Sequence, residues 1–350
     1  MNDLLLEVLR KAVETGASDV VLSADCPPCL RVLGELTRLR GDVLTAEGTK
    51  TLVYGLLNES QVAKFERDLE LDFSFTLQNE HRFRGNVYLQ RGSVAAVFRL
   101  IPAKIPALQE LSLPPVIEEF AHSAQGLVLV TGPTGHGKST TQAAMIDFIN
   151  RRRKAHVITI EDPIEFLHGN LQSVIEQREV GDDTRSFAEA LKHVLREAPD
   201  VILVGEMRDP ESIACALSAA ETGHLVIATV HTNDAVQAVD RLLDSFPPHQ
   251  QPQVRSQMSL SLLGVVAQRL VPRKDGAGRI PAVEILRNTA AVAHLIREGK
   301  THQLYAVLET HARDGMKTLD SALKDLYLRG VIEYEEARKR MRNPSLLERS

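Results

Sequence analysis

The stretch that decides the fold is Gly132-Pro133-Thr134-Gly135-His136-Gly137-Lys138-Ser139, which has the spacing G-x-x-x-x-G-K-S. Glycines adopt positive φ at little cost, so they allow successive backbone N–H groups to point at a bound polyanion. In this pattern Lys138 supplies a charge for the β- and γ-phosphates, and the Ser139 hydroxyl is a ligand for Mg²⁺. The octapeptide therefore predicts a phosphate-binding loop for a nucleoside triphosphate and Mg²⁺.

The sequence on either side of the octapeptide supports this prediction. Residues 126–131 form a short apolar run, which is typical of a buried strand in a parallel sheet. Residues 140–150 have a helical pattern, so Thr140 would begin a helix whose N-terminus faces the phosphates. A glycine loop that arose by chance would lack this succession of strand, loop and helix.

Length and composition limit the possible functions. The chain has 350 residues, which favours two domains, and 43% of them are hydrophobic, which is ample for aliphatic cores. The formal net charge of −5 argues against a nucleic-acid-binding surface. No stretch approaches about 18 consecutive apolar residues, and the N-terminus is charged and amphipathic, unlike a signal peptide. Together with only three cysteines, these features predict a protein of the reducing cytosol.

Two of the cysteines form a C-x-x-C pair, Cys26-Pro27-Pro28-Cys29. Such a pair can be half of a zinc site, a redox motif or two structural thiols. Zinc needs four ligands, and Cys215 lies far away in the sequence. Redox pairs lie at helix N-termini, whereas the residues after Cys29 have the pattern of a strand. We therefore expect no zinc, and structural thiols are favoured over redox chemistry.

Residues 1–101 predict a mixed α+β domain. The predicted helices span 3–14, 45–57 and 60–68, and the predicted strands span 20–23, 29–39 as a hairpin bent at Gly34-Glu35, 71–77, 81–90 and 93–101. Turns are expected at Gln78-Asn79-Glu80 and at Arg91-Gly92. Residues 102–115 contain four prolines, which predicts a semi-rigid linker that could act as a hinge.

Residues 116–350 predict a second, α/β domain. Strands at 127–131, 157–161, 201–205 and 225–230 alternate with helices at 140–150, 186–197, 210–222 and 235–244. This alternation indicates a parallel sheet with helices on both faces. From about residue 252 the pattern predicts helices to the end of the chain, including one at 316–329 that Gly330 ends. The basic run at 151–154 favours a helix C-terminus that faces water, with a partner-binding patch as the alternative.

The strand ends supply candidates for the chemistry of phosphoryl transfer, because ligands bind at the carboxyl ends of parallel strands. Glu161 follows one strand and is predicted to polarise the attacking water. Glu206 follows the next strand, one residue later than the usual aspartate, and is predicted to reach Mg²⁺ through water. His224 and His231 flank a third strand and are candidates for the same site. A small-molecule kinase would need an acceptor lid and a GTPase an Asn-Lys-x-Asp motif, so the pattern favours ATP hydrolysis coupled to movement.

Taken together, these segments resemble the secretion ATPase superfamily, and most closely the type IV pilus retraction ATPases (the PilT family). The similar segments are the loop and residues 158–166, 201–209, 222–226 and 229–232, together with 16–19 and 82–99 near the N-terminus. The resemblance implies a PAS-like N-terminal domain and a RecA-like ATPase domain. It also implies that Glu161 is the catalytic base, that residues 222–232 are a histidine box, and that Arg84 and Arg99 reach a nucleotide, including one bound by a neighbouring subunit of a ring.

Two details bear on the branch within this superfamily. Pilus-extension and type II secretion ATPases carry a four-cysteine zinc insertion in the second domain, where this chain has only Cys215. Retraction ATPases carry the motif Ala-Ile-Arg-Asn-Leu-Ile-Arg-Glu, and residues 291–298 keep its apolar positions and final Leu-Ile-Arg-Glu but lose the first Arg and the Asn. Ala198 also stands where the family usually has Asp.

The resemblance implies a homohexameric motor that disassembles a pilus at the cytoplasmic side of the inner membrane, with a membrane platform protein as its partner. The alternatives are an assembly or secretion motor and an accessory paralogue of the retraction motor. A non-hydrolysing, nucleotide-gated interaction protein is a different class, which Lys138, Ser139, Glu161 and Glu206 argue against. A RecA-like DNA motor is disfavoured by the negative charge and by the low aromatic content of 4%.

Overall fold

The computed structural model describes residues 2–32, 34–78, 81–101 and 104–347. The chain divides into two compact units, one made of Met1–Lys104 with Glu165–Leu167 and the other of Ile105–Ile164 with His168–Ser350. Of the proline-rich stretch, Pro102 and Ala103 lie outside the described residues, and Leu108–Leu111 form a short 3₁₀ helix. Among the described helices, none is long and apolar enough to cross a bilayer.

The first unit contains a six-stranded antiparallel sheet with the strand order β3-β2-β1-β6-β5-β4. Its strands are β1 (Asp19–Leu22), β2 (Cys29–Val32), β3 (Glu35–Arg38), β4 (Glu70–Leu77), β5 (His81–Gln90) and β6 (Ser93–Leu100). Its helices are α1 (Asp3–Thr15), α2 (Ala46–Tyr54) and α3 (Glu59–Asp68). These elements match the predicted ones, except that Asn79 and Glu80 of the predicted turn lie outside the described residues.

The three helices pack on one face of this sheet. Asn2 caps the start of α1, and Gly16, at φ 63°, ends it. The apolar stripe of this helix is buried against the sheet. Phe65 of α3 and the rings of Phe83 and Phe98 are almost completely buried in the same core. Successive side chains of a strand point to opposite faces, so the residue that follows each of Phe83 and Phe98 lies on the opposite face of the sheet. That face is polar: Arg84 and Arg99 are cross-strand partners, and both are exposed.

The second unit contains a seven-stranded sheet with the order β13-β12-β7-β11-β10-β8-β9. Its strands are β7 (Gly126–Thr131), β8 (His156–Glu161), β9 (Val174–Glu179), β10 (Val201–Val204), β11 (Leu225–Val230), β12 (Leu262–Pro272) and β13 (Arg279–Arg287). All neighbouring strands are parallel except β12 and β13, which form an antiparallel hairpin.

Helices cover both faces of the seven-stranded sheet. They are α4 (Val116–His122), α5 (Lys138–Arg152), α6 (Phe187–Val194), α7 (Pro210–Glu221), α8 (Ala235–Asp244), α9 (Gln251–Ser261), α10 (Ala290–Arg297), α11 (Leu304–Thr310), α12 (Leu319–Leu328) and α13 (Tyr334–Arg338). Alternate residues of β7 enter two different cores, Leu127 and Leu129 one of them and Val128 and Val130 the other. The sheet therefore has only its edges and strand ends open for chemistry.

The prediction that the chain is helical from about residue 252 is wrong. Helix α9 ends at Ser261, and β12 and β13 follow it as a long hairpin. The cause is the apolar run from Leu262, because periodicity alone cannot distinguish a buried strand from a buried helix. The helix predicted at 316–329 begins only at Leu319, since Thr318 caps it and Lys317 exchanges two backbone hydrogen bonds with Ile285 of β13.

Candidate nucleotide-binding site

The octapeptide lies between β7 and α5, and its three glycines have positive φ. The φ angles are 142° at Gly132, 76° at Gly135 and 83° at Gly137. A Cβ atom at Gly132 would lie 2.2 Å from the carbonyl oxygen of Gln268 in β12, so no other residue fits at that position. The backbone of the loop therefore has the conformation that a phosphate cradle requires.

The carbonyl oxygens of the loop have hydrogen-bond donors within the same unit. Lys138 Nζ donates to the carbonyls of Gly132 and Pro133, at 2.9 Å and 3.1 Å. Gln268 Nε2 donates to the carbonyl of His136 at 2.9 Å, and Arg279 Nη1 donates to that of Gly135 at 3.2 Å. Thr134, at the tip of the loop, is exposed.

The side chain of His136 faces β12. Its Nδ1 accepts a hydrogen bond from the backbone N–H of Leu270 at 3.0 Å, so this nitrogen carries no proton. Burial lowers the pKa of His136, and the nearby charges of Arg279, Arg269, Lys138 and Arg340 lower it further. Four cations next to one neutral imidazole make the surroundings of the loop electropositive, which suits a polyphosphate.

Helix α5 begins at Lys138, so Ser139 and Thr140 lie in its first turn. The free N–H groups and the positive end of the helix dipole favour an anion there. The Ser139 hydroxyl and the Glu206 carboxylate are oxygen donors of the kind that Mg²⁺ prefers, so the donor set fits this ion. The basic run at the end of α5 has partners within the same unit: Arg151 pairs with Asp147 at 2.7 Å, and Arg153 donates to the Ser123 carbonyl at 3.0 Å.

Glu161 is the last residue of β8, and its carboxylate is held in place. Oε1 accepts a hydrogen bond from Thr159 Oγ1 at 2.7 Å and another from Gln177 Nε2 at 3.1 Å. Thr159 and Gln177 are cross-strand partners in the pairing of β8 with β9. Sequence reasoning missed both β9 and Gln177, because four of the six residues of β9 are polar and carry no strand period.

Glu206 lies beyond the end of β10 and contacts two basic side chains. Its Oε1 is 2.6 Å from Arg208 Nε and 3.2 Å from Nε2 of His231, which follows β11. Burial raises the pKa of Glu206, but the hydrogen bond from Arg208 and the neighbouring His231 outweigh burial, and the net effect lowers this pKa. Glu206 is therefore ionised at neutral pH and beside His231, as their positions after neighbouring strands predict.

Gly205 explains why the acidic residue comes one position late. A Cβ atom at Gly205 would lie 3.1 Å from the carbonyl oxygen of Ile160 and 3.2 Å from Cα of Glu161. An aspartate at this position would crowd the end of β8, where Glu161 stands. The chain thus keeps a glycine there and places the carboxylate on Glu206.

His224 does not lie at this end of the sheet. It precedes β11, and its carbonyl accepts from the N–H of Gly126 at the start of β7. The six residues of β11 put about 20 Å between His224 and His231. His224 Nδ1 is 2.9 Å from the Ala219 carbonyl, so the ring caps the C-terminal end of α7. The assignment of His224 to the nucleotide site of its own chain is therefore wrong: a histidine before a parallel strand lies opposite one that follows it.

Arg84 and Arg99 lie side by side on the polar face of the six-stranded sheet in the first unit. Arg99 Nε donates to Asp19 Oδ1 at 2.9 Å, and Asp19 is only 6% exposed. Arg31 Nε, on the far side, is 3.5 Å from the other oxygen of Asp19. In the described part of the chain, Arg84 makes no side-chain hydrogen bond or ion pair.

The sulfur atoms of Cys26 and Cys29 lie 3.7 Å apart, and both thiols are free. Cys29 is the first residue of β2, not of a helix. The described residues hold no group of three or more His, Cys, Asp or Glu side chains arranged for a metal ion.

Comparison with known proteins identifies the family. The profile of the family described as "Type II/IV secretion system protein" matches residues 95–338. The chain is 46% identical to the type IV pilus retraction ATPase PilT of Pseudomonas aeruginosa, over 97% of this chain and 98% of that protein. A solved structure of the pilus retraction motor PilT with bound ADP superposes with a TM-score of 0.92 at 47% identity and covers 99% of both chains.

The chain belongs to the PilT family of type IV pilus retraction ATPases. The sequence-based recognition and the predicted α/β fold class are thereby confirmed. The chain is also similar to two other ATPases. The type IV pilus ATPase PilU of Pseudomonas aeruginosa is 43% identical over 95% of this chain and 87% of its own. The Legionella pneumophila ATPase DotB has a TM-score of 0.78 at 26% identity and covers 95% of this chain and 93% of its own. This is a family of ATPases, the activity predicted from the loop.

Proposed function

We propose that this protein is a ring-forming motor that couples ATP hydrolysis to retraction of a type IV pilus. The observation that carries the proposal is the similarity to PilT, which extends over nearly the full length of both chains. The glycine-rich loop, the ionised Glu206 and the hydrogen-bonded Glu161 supply the parts that hydrolysis needs, all within the second unit.

In this proposal each residue has one task. The loop, Lys138 and the N-terminus of α5 bind the phosphates, and Glu161 accepts a proton from the attacking water and orients it. Ser139 and Glu206 would hold Mg²⁺, which neutralises phosphate charge when bound. His231 keeps the Glu206 carboxylate oriented.

The proposed assembly is a homohexamer, since heterologous contacts close into a ring when the rotation permits. Arg84 and Arg99 would supply positive charge to a nucleotide bound by a neighbouring subunit, where charge develops in the transition state. The proposed location is the cytoplasmic side of the inner membrane, with the pilus platform protein as the partner. The names of the relatives support this location through their link to pili.

A second candidate is an accessory motor of the same branch. Helix α10 carries the altered motif, and its apolar positions Val292, Leu295 and Ile296 are buried. The two changed positions are less buried: Ala293 is half-buried, and His294 is exposed. The departures from the retraction motif therefore alter the surface of α10 and leave its packing intact, so they favour a change of partner contact over a change of fold.

Deletion of the gene tests the proposal. We expect cells that still assemble pili but no longer retract them, with retraction restored by the wild-type gene and not by one encoding Lys138→Ala. Loss of pili altogether would instead identify an assembly motor. Retraction that continues with reduced force would identify the accessory role.

A biochemical measurement tests the ring. We expect phosphate release from ATP to increase with protein concentration together with the mass measured by light scattering, because each site needs a neighbour. A fully active monomer would contradict the proposal that neighbouring subunits complete the site.

A further inference from the structure

The β12–β13 hairpin contributes a buried glutamine, Gln268. Its side-chain amide makes one hydrogen bond to the loop and one to helix α5. Nε2 donates to the His136 carbonyl at 2.9 Å, and Oε1 accepts from Thr141 Oγ1 at 2.8 Å. Gln268 is only 3% exposed. Its side chain thus joins the tip of the loop to the first turn of α5.

The first of these hydrogen bonds has a consequence for phosphate binding. In a planar trans peptide the C=O and the following N–H point in opposite directions. Holding the His136 carbonyl against β12 therefore directs the N–H of Gly137 to the opposite side, away from the hairpin. Arg279 acts in the same way on the Gly135 carbonyl, which fixes the direction of the His136 N–H.

The second hydrogen bond fixes which way the amide of Gln268 points. Because Thr141 donates its hydroxyl to Oε1, the amide nitrogen is left facing the loop carbonyl. The N–H of Thr141 in turn donates to the carbonyl of Gly137 at 3.0 Å. The neutral amide of Gln268 thus supplies both the acceptor and the donor that these two positions need.

The backbone of β12 adds to this arrangement. The carbonyl of Gln268 occupies the space that a Cβ of Gly132 would need, and Leu270 N–H donates to the His136 ring. Strand β12 pairs with β7 up to Ala267 opposite Thr131, so Gln268 stands level with the start of the loop. The hairpin therefore contacts Gly132 and His136 of the octapeptide and Thr141 just beyond it.

We propose that Gln268 is a positioning residue for nucleotide binding: by holding the His136 carbonyl and the Thr141 hydroxyl, it directs the Gly137 N–H at the bound phosphates. This inference rests on the proposed role of residues 132–139 as the phosphate loop. Gln268 lies outside the motifs that the sequence analysis singled out.

The variant Gln268→Met keeps the volume of the side chain and removes both hydrogen bonds. We expect its affinity for a fluorescent ADP analogue to fall by roughly 10-fold, since each lost bond costs a factor of several. Nucleotide binding raises the thermal midpoint of the wild-type protein. We expect Gln268→Met to reduce this rise by more than it lowers the midpoint of the nucleotide-free protein. Gln253→Met, the same change at an exposed position of α9, is the matched control and should behave as wild type.

A purely structural role gives a different result. It would lower the midpoint of the nucleotide-free protein and leave the affinity of the folded protein within about two-fold of wild type, which would overturn the inference. If Gln268→Met does not fold, Thr141→Val removes only one of the two bonds and serves instead, with a smaller loss of affinity expected.

The variant Gln268→Glu keeps the shape of the side chain and removes the donor. An ionised carboxylate places an oxygen against the His136 carbonyl, and the neighbouring cations keep such a group ionised at neutral pH. We therefore expect Gln268→Glu to bind the ADP analogue more weakly than Gln268→Met does. Affinity equal to that of wild type would contradict the proposed hydrogen bond.

Lys138→Ala separates failure of this inference from failure of the loop assignment. If Lys138→Ala binds nucleotide like wild type, the loop assignment and the inference are both wrong. If Lys138→Ala loses binding while Gln268→Met and Thr141→Val retain it, the loop assignment stands and only the role of Gln268 is wrong.

Discussion

The two sheets of this protein expose different parts of themselves. The six-stranded antiparallel sheet has helices on one face and leaves the other face polar, with Arg84 and Arg99 on neighbouring strands. The seven-stranded sheet is covered on both faces and leaves only its strand ends and edges open. Chemistry in the second unit is therefore confined to a row of strand ends, whereas the first unit offers a whole surface.

The charged side chains of the two sheets also differ, in how firmly other groups hold them. At the strand ends of the second unit, Lys138 is bound to loop carbonyls and Glu206 to Arg208 and His231, so the groups are held in position before a ligand binds. On the open face of the first unit, Arg84 and Arg99 are long exposed side chains. One sheet therefore supplies a preorganised site. The other supplies two exposed cations, of which Arg99 is held by the buried Asp19.

The largest effect is expected where the preorganised site loses its main cation. Lys138→Ala should abolish tight nucleotide binding and turnover, because no other side chain of the loop carries a charge to the phosphates. Phosphate release and binding of a fluorescent ADP analogue measure this. Lys154→Ala, an exposed lysine of the same unit, is the control, and wild-type turnover in Lys138→Ala would refute the site.

The next effect concerns the held carboxylate. Glu161→Gln should retain ATP binding and lose turnover by about 10²–10⁴-fold, since the amide keeps the shape but cannot accept a proton. Single-turnover assays with Glu176→Gln, an exposed position on β9, as control would measure the loss. If Glu161→Gln stays within a few-fold of wild type while Glu206→Gln is inactive, the two roles must be exchanged.

The two arginines on the open face of the first unit test the proposed role of that face. Arg84→Ala and Arg99→Ala should each lower turnover by roughly 10²-fold in the assembled protein, as removal of a transition-state donor does. Only Arg99→Ala should also lower the free energy of unfolding, by about 1 kcal/mol, because it deprives buried Asp19 of a partner. Turnover is measured at constant mass by light scattering, with Arg10→Ala as control. Undiminished turnover in both variants would contradict the proposed role.

The last prediction concerns stability instead of turnover and rests on His168, a half-buried histidine of the second unit. Burial lowers the pKa of His168 to about 4, against a smaller raising effect of Asp147, and within the described chain its Nδ1 has no hydrogen-bond partner. The unfolded chain thus binds a proton below about pH 6.5 that the native protein binds only below about pH 4. The free energy of unfolding should therefore fall by up to about 3 kcal/mol as the pH decreases across this window.

Denaturant titrations across this pH range test the histidine. His168→Asn should remove most of the additional slope, whereas His302→Gln, at an exposed histidine, should keep it. Equal slopes in wild type and His168→Asn would show that another group is responsible.

Sequence reasoning reached the octapeptide, Glu161, Glu206 and His231 because each is local: a motif with fixed spacing, or a polar residue directly after an apolar strand. It missed β9, β12 and β13, since a continuous apolar run or a short polar edge strand carries no unique period. It also placed His224 with His231, because proximity to a strand in sequence does not reveal which end of the strand a residue occupies.

What the sequence by itself determined is therefore the class of chemistry: a phosphate loop, acidic strand ends and the α/β alternation that brings strand ends together. Only the tertiary structure decided which groups hold that site in place. Gln177 donates to Glu161 across a strand pair. Gln268, which lies 132 positions after His136 in the sequence, donates to the carbonyl of that residue. Such partners meet only when segments that are distant in the sequence pack together. A hydrogen bond between residues so far apart produces no periodic pattern in the sequence.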